Sequence, residues 1–319
     1  MSTLPSPENA TGLPPVALIA GPTASGKSDL AVRLAQAIED KGRRAVIVNA
    51  DSAQVYADLQ VLSARPTDEE TGGIEHRLFG TWDGAQACSA ADWASAARGE
   101  IEALHRDGAV PILVGGTGLY IRTLLDGIAD IPAIDPQIRR EIRGLDTETA
   151  YARLLNEDPV RAAALAPADN QRITRALEVV LSTGKPLGEW QQSKTGGIGA
   201  AIDLHPLILL PDREWLYDRC DRRFAQMLEL GAVAEVEELL ARELDPALPV
   251  MRAIGVPEIA GWLRGDASRE AMITAGQQAT RNYAKRQYTW FRRQPPQDWA
   301  RAGTENIDIT TQFARLLQN

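Results

Sequence analysis

Gly21-Pro22-Thr23-Ala24-Ser25-Gly26-Lys27-Ser28 satisfies the pattern G-x-x-x-x-G-K-[ST] at every fixed position. The pattern is a phosphate cradle. Its glycines let successive backbone N–H groups turn toward one point, Lys27 adds a mobile cation, and the Ser28 hydroxyl is placed to ligate Mg²⁺. The apolar run Val16-Ala17-Leu18-Ile19-Ala20 leads into the motif, and Leu30, Val32, Leu34 and Ala35 follow in a helix-compatible stretch. The loop therefore joins a buried strand to a helix N-terminus, where peptide dipoles favour an anion.

Working outward, Lys41-Gly42-Arg43-Arg44 closes the first helix, and Ala45-Val46-Ile47-Val48 reads as a second strand covered on both faces. That strand runs into Asn49-Ala50-Asp51-Ser52-Ala53-Gln54-Val55-Tyr56. Ligands of open parallel sheets bind at the carboxyl ends of strands, so Asp51 is expected beside the phosphate loop. A carboxylate there serves to hold Mg²⁺ through water, to accept a proton from an attacking nucleophile, or simply to cap a helix. Farther on, His76-Arg77 is a candidate anion contact, and Ser89 to Asp92 reads as a helix-capping start.

A third strand, Val110-Pro111-Ile112-Leu113-Val114, ends in Gly115-Gly116-Thr117-Gly118 before a helical stretch. Its Thr117 hydroxyl and backbone N–H groups are expected to face the same anion as the first loop. The strand ends in glycine where the second-strand acid of an ordinary nucleoside triphosphatase would stand. From Ile131 the character changes, with Pro132, Asp135-Pro136, Asp158-Pro159 and Pro167 separating short helical patterns. The best of these helices carries Ile173, Leu177, Val180 and Leu181 on one stripe, with Asp169-Asn170 as cap and Gly184 beyond its end.

Leu204 to Leu210 returns to a strand, with Pro206 confining its start to an edge. In the helix that follows, Arg219 and Arg223 are four apart and share a face suited to a diphosphate. Glu229 to Glu243 reads as one acidic amphipathic helix, and Arg252 to Glu258 as a turn. The fold expected is α/β, a P-loop NTPase-like parallel sheet flanked by helices, with an all-helical insertion domain. Residues 15–130 and 203–302 form the discontinuous core, 131–202 the insertion, and 1–14 a disordered tail.

The chain has 319 residues, enough for about two domains. It carries a formal net charge of −9, which argues against a general nucleic-acid binder. Charge is segregated, however: Arg281, Lys285, Arg286, Arg292 and Arg293 lie in one stretch without an acidic residue. Interleaved with Tyr288 and Trp290, they suit either phosphates and unstacked bases or a helix that buries its aromatics and leaves a solvated basic side. Cys88 and Cys220 are the only cysteines, too few for a disulfide framework or a zinc site. With no apolar run of membrane length and no signal-peptide pattern, a cytoplasmic monomer with no membrane partner is expected.

Taken together, these motifs resemble the tRNA dimethylallyltransferase (tRNA isopentenyltransferase) family, from about Val16 to Phe291. The resemblance rests on Gly21 to Ser28, Asp51-Ser52-Ala53-Gln54 with Tyr56, and Gly115-Gly116-Thr117 with Tyr120. It continues through Asp135-Pro136 with Arg139, Gln171-Arg172 with Arg175-Ala176-Leu177-Glu178, and Ala284-Lys285-Arg286-Gln287 with Thr289-Trp290-Phe291. It implies that residues 21–28 (Gly21, Pro22, Thr23, Ala24, Ser25, Gly26, Lys27 and Ser28) grip the diphosphate of dimethylallyl diphosphate, with Mg²⁺ held partly by Ser28. The dimethylallyl group would pass to N6 of the adenosine 3′-adjacent to the anticodon of a tRNA. Asp51 would be the base, with Lys27, Thr117 and Arg219 supporting the leaving diphosphate.

The same resemblance implies that Asp51, Ser52, Ala53, Gln54 and Thr117 meet the target nucleotide. Arg139, Gln171, Arg172, Ile173, Thr174 and Arg175 would meet the anticodon stem-loop. Ile254-Gly255-Val256-Pro257-Glu258 is similar to the adenylate isopentenyltransferases, which prenylate free nucleotides, so that alternative stays open. So does a P-loop small-molecule kinase, which explains Gly21 to Ser28 and Asp51 but not Gly115-Gly116-Thr117. An acidic protein that grips RNA through local basic strips has a salt-sensitive affinity: tRNA binding should weaken steadily along a salt titration, and a flat titration would contradict it.

Overall fold

The computed structural model describes residues 12–303 and 307–318. Along the chain run β1 (Pro15–Ala20), α1 (Lys27–Glu39), β2 (Ala45–Asn49), β3 (Glu75–Arg77), α2 (Ala90–Arg106), β4 (Val110–Gly115) and α3 (Gly118–Asp126). Then come β5 (Ile128–Ala129), α4 (Pro136–Arg143), α5 (Thr147–Glu157), α6 (Pro159–Ala163), α7 (Asn170–Thr183), α8 (Leu187–Trp190) and β6 (Lys194–Thr195). The chain ends with β7 (Asp203–Leu209), α9 (Arg213–Glu229), α10 (Ala232–Ala241), α11 (Val256–Leu263), α12 (Arg269–Arg293), β8 (Ala300–Ala302), α13 (Ile309–Gln312) and α14 (Ala314–Gln318). Leu125–Ile198 forms one compact unit, and the described residues on either side of it form another.

The larger unit is built on a parallel sheet of order β3-β2-β4-β1-β7-β8. Its inner strands β1, β2 and β4 are almost continuous apolar, buried runs because both faces are covered. Ala17, Ile19, Ile47, Ile112, Val114, Leu207 and Leu209 face one cluster with Leu30, Leu34 and Ile38 of α1 and with Phe313 and Leu316 of the last two helices. The alternate residues Leu18, Val46, Val48, Leu113 and Ile208 are fully buried as well. Central β1 pairs with β4 on one side and β7 on the other, so their carboxyl ends bring Gly21 and Gly116 to one edge of the sheet. Pro206 pairs with Leu18 of β1 but precedes the β7–β8 ladder, which begins at Leu207, so its missing N–H leaves no gap in a ladder.

Several expectations shift. The tail reading of residues 1–14 falls, for residues 1–11, outside the described residues, whereas the Pro14 carbonyl accepts the Asp203 N–H at 2.9 Å and so belongs to the sheet. His76 and Arg77, read as a candidate anion contact, lie at the sheet edge. They form the short edge strand β3, where Arg77 pairs with Glu75 and Glu100 at 2.7 Å each. The stretch Glu229 to Glu243 is broken, because Gly231 sits at φ 104° between α9 and α10. Residues 256–263 form a helix where a turn was expected, with Pro257 in its first turn and the Glu258 carboxylate accepting the Gly255 N–H at 2.9 Å.

The smaller unit is helical apart from a two-residue antiparallel ladder pairing Ile128 with Thr195 and Ala129 with Lys194. Its core is Ile142, Ala150, Leu154, Ala162, Leu165, Ile173, Ala176 and Leu177. Asp169 caps α7 by accepting the Arg172 N–H, and left-handed Gly184 ends it.

α9 and α12 cross where Gly276 faces Phe224, which is 1% exposed. A methyl group at 276 would lie 2.0 Å from Phe224 Cζ. Gly276→Ala is therefore expected to destabilise the fold by about 2 kcal/mol through overpacking, despite the better helix propensity of alanine. Urea denaturation measures this, and an unchanged midpoint would contradict the close packing.

Candidate active site

The phosphate loop runs from the end of β1 to α1. Gly26 adopts φ 85° at the helix start, and no side chain caps α1. The first-turn N–H groups are thus open to an anion. Lys27 is buried and its Nζ donates to the Pro22 carbonyl at 2.6 Å. Desolvation brings its pKa down to about 8, against the pull of the Asp51 carboxylate and with a further push from Arg223. Ser28 is exposed on the first turn, and the Ser25 hydroxyl is buried without a partner.

The turn after β2 is pinned by Asn49, which is fully buried. Its Nδ2 donates to the carbonyls of Asp51 and Leu78 at 3.0 Å each, and its Oδ1 accepts the Asp51 N–H at 2.8 Å. Asp51 Oδ1 accepts the Ala53 N–H at 3.0 Å, an Asx turn that fixes the carboxylate. Thr117, from the turn after β4, accepts the Ser52 N–H at 2.9 Å, and its hydroxyl donates to Ser52 Oγ at 3.1 Å. Thr117 thus aligns the Asp51 turn. Gln54 is occupied by structure, its Nε2 donating to the carbonyls of Ser63 and Ala64 at 3.1 and 2.7 Å.

α12 closes the arrangement. Gln287 accepts the Thr23 N–H at 2.7 Å and donates to the Gly116 carbonyl at 2.9 Å, so one buried amide spans both glycine turns. A Cβ at Gly116 would lie 2.3 Å from Gln287 Nε2, and one at Gly118 would enter the Trp290 ring. These glycines are required for the approach of α12. From α9, Arg219 Nε donates to the Ala24 carbonyl at 3.0 Å while its guanidinium stacks on Trp215, and Arg223 reaches Thr23 Oγ1 at 3.4 Å. Desolvation lowers the Arg223 pKa and the Asp51 charge resists it.

A cavity of about 300 Å³ opens beside Thr23, Asp51, Ser52 and Arg223. Leu62, Phe224, Met227 and Ile254 make its walls apolar, and Tyr56, Tyr120 and Tyr283 add rings. Desolvation and then the Asp51 charge push the Tyr283 phenol up, and burial does the same for Tyr120, so both stay neutral. Gln287 and Tyr283 were not among the site residues expected from sequence. For Arg223 the signal was present, four residues from Arg219 on one face.

The basic C-terminal stretch divides. Arg281 is not a free cation, since its Nη1 contacts both carboxylate oxygens of Asp221 at 2.5 Å. Arg286 lines the cavity, with its guanidinium 5.7 Å from the Tyr283 ring, and Lys285, Arg292 and Arg293 are exposed. Within the smaller unit, Arg139, Gln171 and Arg172 are exposed, and Arg175 lies 3.5 Å from Glu178. The Thr174 hydroxyl donates to Asn170 Oδ1 at 3.2 Å. Ile173 is 0% exposed, so its side chain is a core residue rather than an RNA contact; the alternating pattern of α7 turns it inward. Removing the central amide tests the site as a unit. Gln287→Ala strands two polar backbone groups and should lower stability by about 2 kcal/mol in urea denaturation; unaltered stability would show that water replaces the amide without loss.

The model of the IPP transferase family matches residues 54–294, and that of isopentenyl transferase matches residues 14–89. A tRNA dimethylallyltransferase of Erythrobacter litoralis is 65% identical over 313 residues, covering 98% of this chain and 99% of the relative. Another, from Novosphingobium aromaticivorans, is 67% identical over 279 residues, covering 88% and 99%. Among solved structures, the tRNA isopentenylpyrophosphate transferase of Bacillus halodurans matches with TM-score 0.67 at 30% identity, covering 95% of this chain and 94% of that one. A eukaryotic dimethylallyltransferase acting on tRNA matches with TM-score 0.78 at 28% identity, covering 95% of this chain and 77% of that one. With a phosphate loop, a second glycine turn and a carboxylate at the ends of neighbouring strands of one sheet, and with relatives this similar along nearly the whole length, the chain belongs to the tRNA dimethylallyltransferase family.

Proposed function

We propose that the protein transfers the dimethylallyl group of dimethylallyl diphosphate to N6 of the adenosine 3′-adjacent to the anticodon in tRNA, releasing diphosphate. The observation that carries this reading is the position of Asp51, fixed by Asn49 and Thr117 at the mouth of an apolar-walled cavity and close enough to the phosphate loop for its charge to act on Lys27. A kinase needs a similar acid, but the cavity beyond it offers Leu62, Phe224, Met227 and Ile254, which suit a branched C5 chain.

The loop N–H groups, Lys27 and Arg223 bind the diphosphate, and its oxygens supply partners for the Ser25 hydroxyl. The adenine amine is a weak nucleophile because its lone pair is delocalised into the ring. As the N6–C1 bond forms, the C1–O bond breaks, its electron pair leaves with diphosphate, and Asp51 accepts the N6 proton. Lys27, Arg223 and the α1 N-terminus stabilise the charge gathering on the leaving group, while Arg219 braces the loop through Ala24. The target base is flipped out of the anticodon loop into the cavity. Gln171, Arg172, Arg139 and Arg175 contact the stem-loop, with Lys285, Arg292 and Arg293 as backbone contacts.

Among the described residues no cluster of three or more His, Cys, Asp or Glu is placed to hold a metal ion. The donors present, the Ser28 hydroxyl and the Asp51 carboxylate, are hard oxygens few in number, which fits Mg²⁺ shared with waters and substrate phosphates rather than caged by protein. When bound, Mg²⁺ offsets the negative charge of the diphosphate. Among the described residues no helix is long and apolar enough to cross a membrane. A cytoplasmic monomer is part of the same proposal.

Incubation with dimethylallyl diphosphate and either unmodified tRNA or AMP, followed by nucleoside mass spectrometry, tests the assignment. N6-dimethylallyladenosine is expected in tRNA alone, with Asp51→Asn reducing turnover at least about 100-fold while tRNA still binds. Product on AMP, or ATP consumption without prenyl transfer, would overturn it. Protonated Lys27 is the form that holds an anion, so calorimetric affinity for inorganic diphosphate should fall as pH rises past about 8. Lys27→Met should weaken binding at neutral pH and flatten that fall; an unchanged profile would rule Lys27 out as its source.

A further inference from the structure

The smaller unit contains a carboxylate with more cationic partners than its own neutralisation requires. Glu178 on α7 has a side chain only 3% exposed, and Arg143 Nε donates to its Oε1 at 2.9 Å. Arg139 Nε lies 3.9 Å from the same oxygen, and Arg175 Nη1 lies 3.5 Å from Oε2. A buried carboxylate needs a partner, and one arginine fork meets that need. Here three guanidiniums converge on one negative charge, leaving an excess of positive charge at the surface.

The geometry gathers these groups from two helices. Arg139 and Arg143 are one turn apart on α4, while Arg175 precedes Glu178 by one turn on α7. Their outer ends remain open, with side chains 46, 63 and 42% exposed for Arg139, Arg143 and Arg175. Arg143 is anchored through Nε, which leaves its Nη edge for a second acceptor. The neighbouring acids do not cancel the excess, because Glu141 pairs with Arg153 and Asp169 with Arg172. Preformed, spaced guanidiniums match phosphodiester oxygens, and ordering them in advance removes part of the entropy lost on binding.

We propose that Glu178 is a positioning residue that holds Arg139, Arg143 and Arg175 as a preformed clamp for the sugar-phosphate backbone of the RNA substrate. The clamp rests on the reading of tRNA as substrate and extends it to Arg143 and Glu178. It makes a prediction opposite in sign to that of net charge. Glu178→Gln adds a positive charge to the cluster, so attraction alone would tighten RNA binding, whereas loss of the anchor lets the guanidiniums separate and weakens it.

The test compares wild type, Glu178→Gln and Arg143→Ala for tRNA binding by fluorescence anisotropy across a salt series, and for prenyl transfer at saturating dimethylallyl diphosphate. Glu178→Gln is expected to raise Kd and the KM for tRNA about fivefold with kcat within about twofold. Arg143→Ala removes a side chain 63% exposed and leaves Arg139 and Arg175 beside the Glu178 carboxylate, so a folded protein is expected, checked by circular dichroism. It should raise KM similarly and reduce the salt slope by roughly 0.7 to 0.9. A Glu178→Gln protein that binds tRNA as tightly as wild type or more tightly, or an Arg143→Ala protein with unchanged KM and slope, would overturn the clamp. Should Glu178→Gln fail to fold by circular dichroism, Arg143→Ala decides alone. Wild-type protein that modifies no tRNA would instead remove the functional reading beneath the proposal.

Discussion

The side-chain amide of Gln287 joins the Thr23 N–H to the Gly116 carbonyl, two backbone groups that end different strands. A glycine-rich turn has no side chains with which to hold its own shape, yet an anion cradle works only if its dipoles are aimed before the ligand arrives. Strand pairing of β1 with β4 brings the turns side by side, and the amide then fixes them. Since it both accepts and donates, neither a carboxylate nor an ammonium group would serve at 287. The absence of a Cβ at Gly116 and Gly118 follows from this contact, because α12 must approach to hydrogen-bonding distance.

The same edge of the sheet holds desolvated cations whose burial is costly without an anion beside them. Lys27 lies in a desolvated position with only the Pro22 carbonyl and the Asp51 field to support it, and Arg223 is similarly placed. Under the proposed function, an incoming diphosphate relieves both at once. Asp51 steadies both cations through its charge, and under the proposed function it also takes a proton when the amine attacks. Asn49 and Thr117 hold the turn that orients its carboxylate.

Much of this was legible in the chain because it is local. The phosphate loop, the apolar runs of β1, β2 and β4, the capping of α2 by Ser89 and of α7 by Asp169, and Asp51 at a strand end are all written in neighbouring residues. What escaped is either short or distant. β3 and β8 are three-residue edges whose pairing outweighs any periodicity of their own. Gln287 meets Thr23 from 264 positions away, and nothing in its surroundings in sequence marks it as a clamp. Arg281 reads as a free cation until α9 brings Asp221 to it. Ile173 was legible both on the apolar stripe of its helix and as a member of the motif, and its burial decides for the stripe.

The helical unit interrupts the chain between β4 and β7, yet both of these strands pair with β1, so the sheet order is indifferent to what lies between them. The interruption begins and ends in one antiparallel stem, Ile128–Ala129 against Lys194–Thr195, which returns the chain close to where it left. In evolutionary terms the stem is a graft point. Material can be lengthened, shortened or exchanged beyond it without disturbing the register of a single strand in the parallel sheet. The parallel sheet and the helical unit are thereby free to diverge at different rates within one gene.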